Sequence, residues 1–238
     1  MLLLKTWKVA AAALALLTTK RIAGRSKRRD RANAAVAALE RSAELLAKAT
    51  RGKSLDIETY GKAMEALMPA FSAYGRVFDN AARKDVQGNV DKLRRRARAL
   101  KKKDARGMVL RERQLDPSKT ECPDSAARAL FWTNRIVSQV AASFENVLDM
   151  PKASFNKCAT DAYLKTCGPY NQPAHRAMAR IMLKIIPDRD AFVRLYGAAS
   201  MEDLAPTLRA WIKASRASRN AVDDFFSKNP DLAPRRRT

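Results

Sequence analysis

The decisive stretch of this chain is SAARALFWTNRIVSQVAASFENVL, residues 125–148, its longest apolar segment of helical character. Ile136, Val140 and Phe144 recur in it at intervals of four residues, which places them on one face of a helix. A polar link that contains proline, residues 114–124, precedes the stretch. The pattern therefore predicts a long helix with a buried face, and the rest of the chain must provide its packing partners.

The remaining chain also favours helices over strands. No segment alternates apolar and polar residues over the length of a strand, and only eight glycines and ten prolines interrupt the chain. Helices are predicted over 31–48 and over about 84–103, and between them a helix capped by Ser54 or Asp56 is predicted to run through Tyr60, Met64, Leu67 and Phe71. Pro69 is expected to bend or break the second of these helices. Beyond residue 148, Pro151, Gly168, Pro169, Pro173, Pro187 and Pro206 are expected to divide the chain into about four more helices, the last of them from Met201 to Phe226. We therefore predict an all-α domain of about eight helices.

Charge is distributed unevenly along the 238 residues, whose formal net charge is +23. The 47% of hydrophobic residues is typical of a protein with a core and too high for a disordered basic segment. Positive charge is concentrated in residues 1–29, 92–106 and 235–237, and the rest of the chain is nearly neutral. Such concentration indicates an anionic partner, which could be a phosphate backbone, acidic lipid headgroups or an acidic protein.

Residues 1–50 are predicted to form a basic N-terminal helical extension, followed by one domain over 51–238. The apolar run at residues 9–17 is too short for a simple membrane span, which needs about 20 residues. Basic residues follow it where a secretory signal has its cleavage site. Three interpretations of residues 1–29 stay open: a membrane-associating extension, an organellar targeting leader, and a signal or anchor. We expect a cytoplasmic protein that is peripheral at membranes, or alternatively one that is targeted to an organelle or anchored through residues 1–29.

Catalytic and metal-binding patterns are missing from the sequence. It contains no phosphate-binding glycine loop, dinucleotide fingerprint, serine-hydrolase elbow or zinc-protease motif. Its three cysteines, Cys122, Cys158 and Cys167, have no C-x-x-C spacing, and His175 is the single histidine. This set cannot form an ordinary zinc site, so we interpret the cysteines as buried free thiols. We expect no enzymatic activity, no metal ion and no cofactor.

Three segments carry a family resemblance. Residues 71–78 read F-S-A-Y-G-R-V-F, residues 85–93 read D-V-Q-G-N-V-D-K-L, and residues 130–135 read L-F-W-T-N-R. They resemble the F-x-x-x-G-x-x-F, D-I/V-x-G-N-I/V-x-K and L-x-W-x-x-R motifs of the glycolipid transfer protein family, the glycolipid and ceramide-1-phosphate transfer superfamily. The segment from Ala162 and Tyr163 through Tyr170 and Asn171 to Pro187 is similar to another family motif, with Phe192 after it. The resemblance covers about residues 55–228.

The resemblance implies a two-layer helical sandwich that carries a sphingolipid between membranes. Asp85 would accept hydrogen bonds from the ceramide amide and sugar hydroxyls. Asn89 and Lys92 would bind headgroup oxygens, and Trp132 would stack on the first sugar. The lipid chains would occupy an apolar tunnel between the layers. Its lining would include Phe71, Val77, Phe78, Ile136, Val140 and Phe144.

Three departures from the family pattern affect the headgroup site. Asn171 stands where the family has a histidine, and Pro173 aligns with the tryptophan that docks to membranes. Arg128 lies one turn before Trp132, where relatives that bind ceramide-1-phosphate carry an arginine. Those relatives have basic residues in place of Asn89 and Trp132, so the sequence is closer to the glycolipid branch. Because arginine suits phosphate, a phosphorylated headgroup stays open beside a sugar.

The predicted function is non-enzymatic binding or intermembrane transfer of a sphingolipid by a monomer in peripheral contact with acidic membranes. The alternative is a basic helical adaptor that binds nucleic acid or acidic membrane and has a vestigial pocket. The basic run 92–106 is interpreted either as a solvated helix face or as a segment attracted to acidic lipids. It has no interleaved aromatic residues, which disfavours nucleic acid as a partner.

Overall fold

Helices account for nearly all of the structure. The computed structural model describes residues 32–51, 54–72, 74, 76–118 and 122–237, without the side chains of residues 51 and 76–78. A two-residue antiparallel ladder, in which β1 (Thr50–Arg51) pairs with β2 (Ser54–Leu55), follows the first helix. The helices of these residues are α1 (32–49), α2 (Ile57–Ser72), α3 (Arg76–Ala99), α4 (Ala105–Leu115), α5 (Ala126–Asp149), α6 (Phe155–Thr166), α7 (Pro173–Lys184), α8 (Arg189–Leu195) and α9 (Met201–Lys228). The predicted all-α fold, a two-layer helical sandwich with eight helices after residue 50, is confirmed.

Helix α5, the long helix of residues 125–148, packs against α3, α6 and α9. It begins at Ser125, whose hydroxyl accepts a hydrogen bond from the Arg128 backbone N–H at 3.1 Å. Its apolar face is buried, and Phe144 makes edge or tilted ring contacts with Trp211 of α9 and Phe192 of α8. These aromatic contacts connect α5 with the last two helices of the domain.

Two of the predicted proline breaks do not occur. Of the two predicted caps of helix α2, Asp56 is the one that accepts a hydrogen bond from the Thr59 backbone N–H, at 2.8 Å. The helix continues through Pro69 to Ser72. Helix α9 confirms the helix predicted from Met201 to Phe226, and it contains Pro206, which was expected to divide the chain. A proline removes only one backbone donor, and both prolines are exposed and within two turns of a helix end, where packing elsewhere along the helix outweighs that loss.

The structure differs from the predicted division after residue 50. Helix α1 contributes Ala35, Leu39 and Leu46 to the same buried apolar cluster as the other helices. The Trp211 indole N–H donates to the Ser42 hydroxyl at 3.1 Å, inside the protein. Helix α1 is therefore part of the folded domain, because its apolar face has no other partner. Residues 1–31, on which the targeting and anchoring interpretations rest, lie outside the described residues.

A glycine marks a second contact of α1 with the domain. Gly197, between α8 and α9, has φ +69°, a conformation that favours glycine. A side chain there would place its Cβ 2.9 Å from the Cβ of Ala32.

Among the residues described, no helix combines the length and hydropathy that a membrane crossing requires.

Candidate functional site

Helix α3 presents the predicted polar stripe of Asp85, Asn89 and Lys92. Asn89 is buried, and its amide donates to the Asp85 backbone carbonyl at 3.0 Å. The Lys92 ammonium donates to the Pro123 carbonyl at 3.0 Å, across the link that leads into α5. An ammonium has three N–H donors, so this bond leaves two for another acceptor.

The Asp85 carboxylate is the most unusual group of the stripe. Its side chain is exposed to solvent, and no described residue donates a hydrogen bond to it. Desolvation by the surrounding protein nevertheless raises the pKa of Asp85, while electrostatic interactions with Lys92 and His175 lower it. The carboxylate therefore lies open to a ligand in a partly desolvated place, near the Lys92 ammonium. His175, the single histidine, to which the sequence assigned no role in the site, is exposed.

Helix α5 carries the second group of predicted site residues. Arg128 and Trp132 are one turn apart, so they share a helix face, and both are half-buried. The Trp132 ring meets the Phe131 ring edge-on, with centroids 5.7 Å apart. No acidic side chain in the described part of the chain forms an ion pair with Arg128.

The turn between α6 and α7 supplies the third group. Asn171 donates its amide to the Tyr163 hydroxyl at 2.9 Å. The side-chain carbonyl of Asn171 thus remains as an acceptor, although the predicted family histidine is absent. Burial raises the pKa of Tyr163, and the bond from Asn171 opposes that shift. Tyr170 meets Phe131 edge-on at 4.8 Å, which brings this turn against α5.

An ion pair beneath the site was not assigned a role from the sequence. Arg135, the last residue of the W-x-x-R motif, forms a salt bridge with Asp223 of α9. Asn134 also donates to Asp223, at 2.9 Å, and the Arg135 guanidinium lies 5.3 Å from the centre of the Phe131 ring. These contacts tie α5 to α9 and hold Phe131 in place. The W-x-x-R spacing was the available sequence signal for Arg135, but only the fold identifies Asp223 as its partner.

The predicted tunnel residues belong to the core. Phe71, Val140 and Phe144 are buried in the common apolar cluster, and Ile136 packs against it. The side chains of Val77 and Phe78 are outside the described residues.

The basic run 92–106 separates into two parts. Arg94 pairs with Glu58 and Glu65, Arg95 with Asp124, and Arg96 with the buried Glu112. The first part is therefore structural and not a freely solvated face. The second part borders a cavity of about 590 Å³, separate from the α3 stripe. Its basic lining residues are Arg94, Arg98, Lys101, Lys102 and Lys103.

The cysteines are free, as predicted, but only two are buried. Cys158 and Cys167 lie inside the protein, and burial raises the pKa of the Cys167 thiol to about 12. Cys122 is exposed, so the prediction that all three are buried is wrong. It lies in the polar link before α5, where the chain has no apolar face to bury.

The structure is that of an all-helical protein, and the comparisons with known proteins give its family. The model of the family "Glycolipid transfer protein (GLTP)" matches residues 55–198. The chain belongs to the glycolipid transfer protein family, whose members are lipid transfer proteins. A search of curated protein sequences gives no match. Neither comparison supports the alternative of a nucleic-acid adaptor.

Solved structures share the fold at low sequence identity. Human ceramide-1-phosphate transfer protein in complex with 12:0 ceramide-1-phosphate has a TM-score of 0.72 at 13% identity, over 81% of this chain and 97% of that chain. A mutant of Arabidopsis ACD11 complexed with C12 ceramide-1-phosphate has a TM-score of 0.66 at 16% identity, over 84% and 96%. FAPP2, described as selecting simple glycosphingolipids with the GLTP fold, has 0.67 at 15%, over 81% and 95%.

Proposed function

We propose that the protein takes a sphingolipid from one membrane and delivers it to another without changing it chemically. The observation that carries this proposal is the Asp85 carboxylate, which is open to solvent, partly desolvated and without a donor from the described residues. An amide N–H and hydroxyls, such as those of a ceramide and its headgroup, are the donors that a carboxylate accepts. The solved relatives named above, with bound ceramide-1-phosphate, support this substrate class.

The neighbouring groups support binding rather than reaction. Lys92 retains free N–H donors for headgroup oxygens, and the half-buried Trp132 offers a ring face to a sugar. The lipid chains would lie among Phe71, Ile136, Val140 and Phe144, next to Val77 and Phe78. No role in this arrangement requires a covalent intermediate, a metal ion or a cofactor.

The direct test is to identify what the purified protein carries. Native mass spectrometry of the full chain after incubation with phosphatidylcholine vesicles containing 12:0 ceramide-1-phosphate or galactosylceramide should show one bound sphingolipid per chain. Fluorescent analogues of the same lipids should then move from donor to acceptor vesicles with their mass unchanged. A chemically altered lipid, or neither lipid bound, would contradict the proposal.

Helix α7 offers the face on which such a protein would dock at a membrane. Met178 and Ile181 are exposed by 61% and 60%, and Ile185, just after the helix, by 49%. Their spacing places them along one side of the helix, and exposed Arg180 and Lys184 lie in the same segment. An apolar stripe with cations suits peripheral binding to an acidic bilayer surface. We propose that it takes over from the tryptophan that Pro173 replaces.

Removing the stripe should weaken membrane binding. The double change Met178→Ser and Ile181→Ser should lower binding to vesicles that contain phosphatidylserine, and lipid transfer, about 10-fold, because two partly inserted apolar side chains are lost. Vesicle sedimentation and transfer rates measure this. Leu110→Ser with Leu115→Ser, which changes two exposed leucines of α4, is the matched control and should leave both values within about twofold. Equal losses in the two double variants would show that α7 has no special role.

A further inference from the structure

The cavity of about 590 Å³ lies on the opposite side of α3 from the proposed headgroup stripe. It is lined by the start of α2, by one face of the last turns of α3, and by the turn of residues 101–103. Arg94, which lines it, follows Asp85 by nine residues, or about two and a half turns of an α-helix, so the two side chains leave opposite faces of α3. His175, in the first turn of α7, interacts electrostatically with Asp85. The cavity is therefore turned away from the stripe and from the start of α7.

The turn that joins α3 to α4 is fixed by hydrogen bonds. The Ile57 backbone N–H donates to the Lys103 carbonyl at 3.0 Å. The Asp104 carboxylate, directly after the turn, accepts from the Leu55 backbone N–H at 3.0 Å. The lysines of residues 101–103 therefore extend from an ordered backbone that is joined to the start of α2.

Lys101 occupies a backbone position that suits glycine better. Its φ is +52°, in the left-handed region. Its N–H donates to the Arg98 carbonyl at 3.2 Å, and the Lys102 N–H donates to the Ala97 carbonyl at 3.0 Å. This pair of bonds closes a helix in the Schellman arrangement, which commonly has glycine at this position. An advantage that offsets the strain must come from the lysine side chain, which lines the cavity.

The cavity lining carries positive charge that the protein does not balance. Its two acidic residues are already engaged, because Asp56 caps α2 and Glu58 pairs with Arg94 at 3.1 Å. In the part of the chain that the structure describes, no ion pair includes Arg98 or the lysines of residues 101–103, all of which are exposed. These four cations thus surround a concave space and have no acidic partner from the protein.

The size and charge of the cavity suit a small, highly charged anion. Sites for small molecules have volumes of about 300–1,000 Å³, whereas a protein partner needs about 800 Å² of surface on each side. A phosphate monoester carries about two negative charges at pH 7 and offers three acceptor oxygens to ammonium and guanidinium donors. Ile57 and Ala97 add apolar surface to the lining. We propose that the cavity binds a soluble organic polyphosphate, with two or more phosphate groups, at a site separate from the lipid site.

The first test compares two triple variants with equal loss of charge. Lys101→Gln, Lys102→Gln and Lys103→Gln are changed together, and the matched control changes the scattered exposed lysines by Lys152→Gln, Lys165→Gln and Lys213→Gln. Calorimetry measures binding of ATP and of inorganic tripolyphosphate to the full chain, without Mg²⁺ and at about 0.15 M salt, which screens longer-range attraction. The clustered variant should bind both compounds on the order of 10-fold more weakly than wild type, and the control within about twofold. Equal weakening in the two variants would overturn the proposal.

Two single changes separate the cavity from general charge and from folding. Ala97→Leu fills part of the cavity without a change of charge and should weaken ATP binding about 5-fold, while Ala99→Leu, at an exposed position of α3 outside the lining, should not. Lys101→Gly should weaken ATP binding yet unfold at the same or a higher temperature, because glycine suits the backbone there. Unchanged ATP binding in Ala97→Leu would place the anion outside the cavity and refute the proposal.

A membrane arm tests whether the phosphate belongs to a lipid. Phosphatidylcholine vesicles that contain phosphatidic acid present phosphate groups on a bilayer surface. Binding of the wild type to these vesicles through the lysines of residues 101–103, without binding of ATP or tripolyphosphate, would overturn the proposal and make the turn a membrane contact. Sphingolipid transfer between neutral vesicles should be the same in wild type and in the clustered variant, since the two sites lie on opposite faces of α3. Loss of ATP binding therefore leaves the proposed transfer function untouched.

Discussion

Replacing Asp85 by asparagine should lower sphingolipid transfer about 100-fold while the protein stays folded. The carboxylate is expected to accept at least two hydrogen bonds from the lipid, and a charged acceptor strengthens each of them by about 1–2 kcal/mol over a neutral one. An amide also turns one of its two acceptor positions into a donor, which opposes the N–H and O–H groups of a ceramide. Transfer of fluorescent sphingolipid between vesicles measures the effect.

In contrast to its lower transfer rate, the Asp85→Asn variant should be as stable against unfolding as the wild type, or slightly more stable. Desolvation raises the pKa of Asp85 in the folded protein, so the charged form is disfavoured relative to the unfolded chain. The penalty is absent below the unfolded pKa of about 3.9, develops as the pH rises through the folded pKa, and is complete above it. Asp85→Asn should therefore unfold at the same or a slightly higher urea concentration at pH 7, with the gain shrinking towards pH 4. The exposure of the side chain keeps this gain below about 1 kcal/mol.

Asp91→Asn on the same helix provides the matched control. Asp91 is exposed and accepts a hydrogen bond from Gln87 at 2.8 Å, outside the proposed stripe. Its replacement should leave transfer within about twofold of wild type. If Asp85→Asn transferred lipid as fast as this control, the assignment of Asp85 to the headgroup would be wrong.

The largest loss of stability among these variants is expected for Glu112→Ala. Glu112 is only 3% exposed, and its carboxylate accepts from the Ala126 backbone N–H at 2.7 Å and lies 3.1 Å from the Arg96 guanidinium. It therefore joins α3, α4 and the first turn of α5. Removing the buried carboxylate should lower the free energy of unfolding by about 3 kcal/mol, because the Ala126 N–H and the half-buried Arg96 guanidinium each lose an acceptor. Thermal unfolding should shift down by about 6–12 °C.

Two further variants distinguish the effect of losing the ion pair from the general effect of removing a glutamate side chain. Glu44→Ala removes an exposed glutamate paired with Arg41 on α1 and should cost less than about 1 kcal/mol. Glu112→Gln keeps an acceptor for Ala126 and should fall between the two alanine variants. If the melting temperatures of Glu112→Ala and Glu44→Ala differed by less than about 2 °C, the ion pair of Glu112 would not anchor α5.

The local sequence pattern predicted the helices well where the spacing of apolar residues and the packing of the folded protein agree. The spacing of Ile136, Val140 and Phe144 indicated the buried face of α5, and Asp56 was one of two named caps for α2. The pattern was wrong at Pro69 and Pro206, because a proline's local effect on a helix is smaller than the packing of the whole helix against the core. The prediction of a separate N-terminal extension over residues 1–50 also did not hold for α1, because a sequence does not show which element covers an apolar face.

In the candidate site, too, the sequence predicted features within one helix but not contacts between residues that are far apart in the chain. The stripe of Asp85, Asn89 and Lys92 follows from helical spacing within one element. The ion pair of Arg135 with Asp223, the clamp of Glu112 on α5, and the approach of Arg236 to Tyr170 each join residues far apart in the chain. Such contacts depend on how helices are arranged in space, which no local spacing encodes.

By itself, then, the sequence determined the helical class, the family motifs and the polar face of α3, because all three depend on residues within a few turns of each other. The tertiary structure alone decided that α1 belongs to the domain, that the first half of the basic run is paired with acids, and that Arg236 lies against Tyr170. Those outcomes depend on long-range packing and electrostatics, whose partners are chosen only when the chain folds.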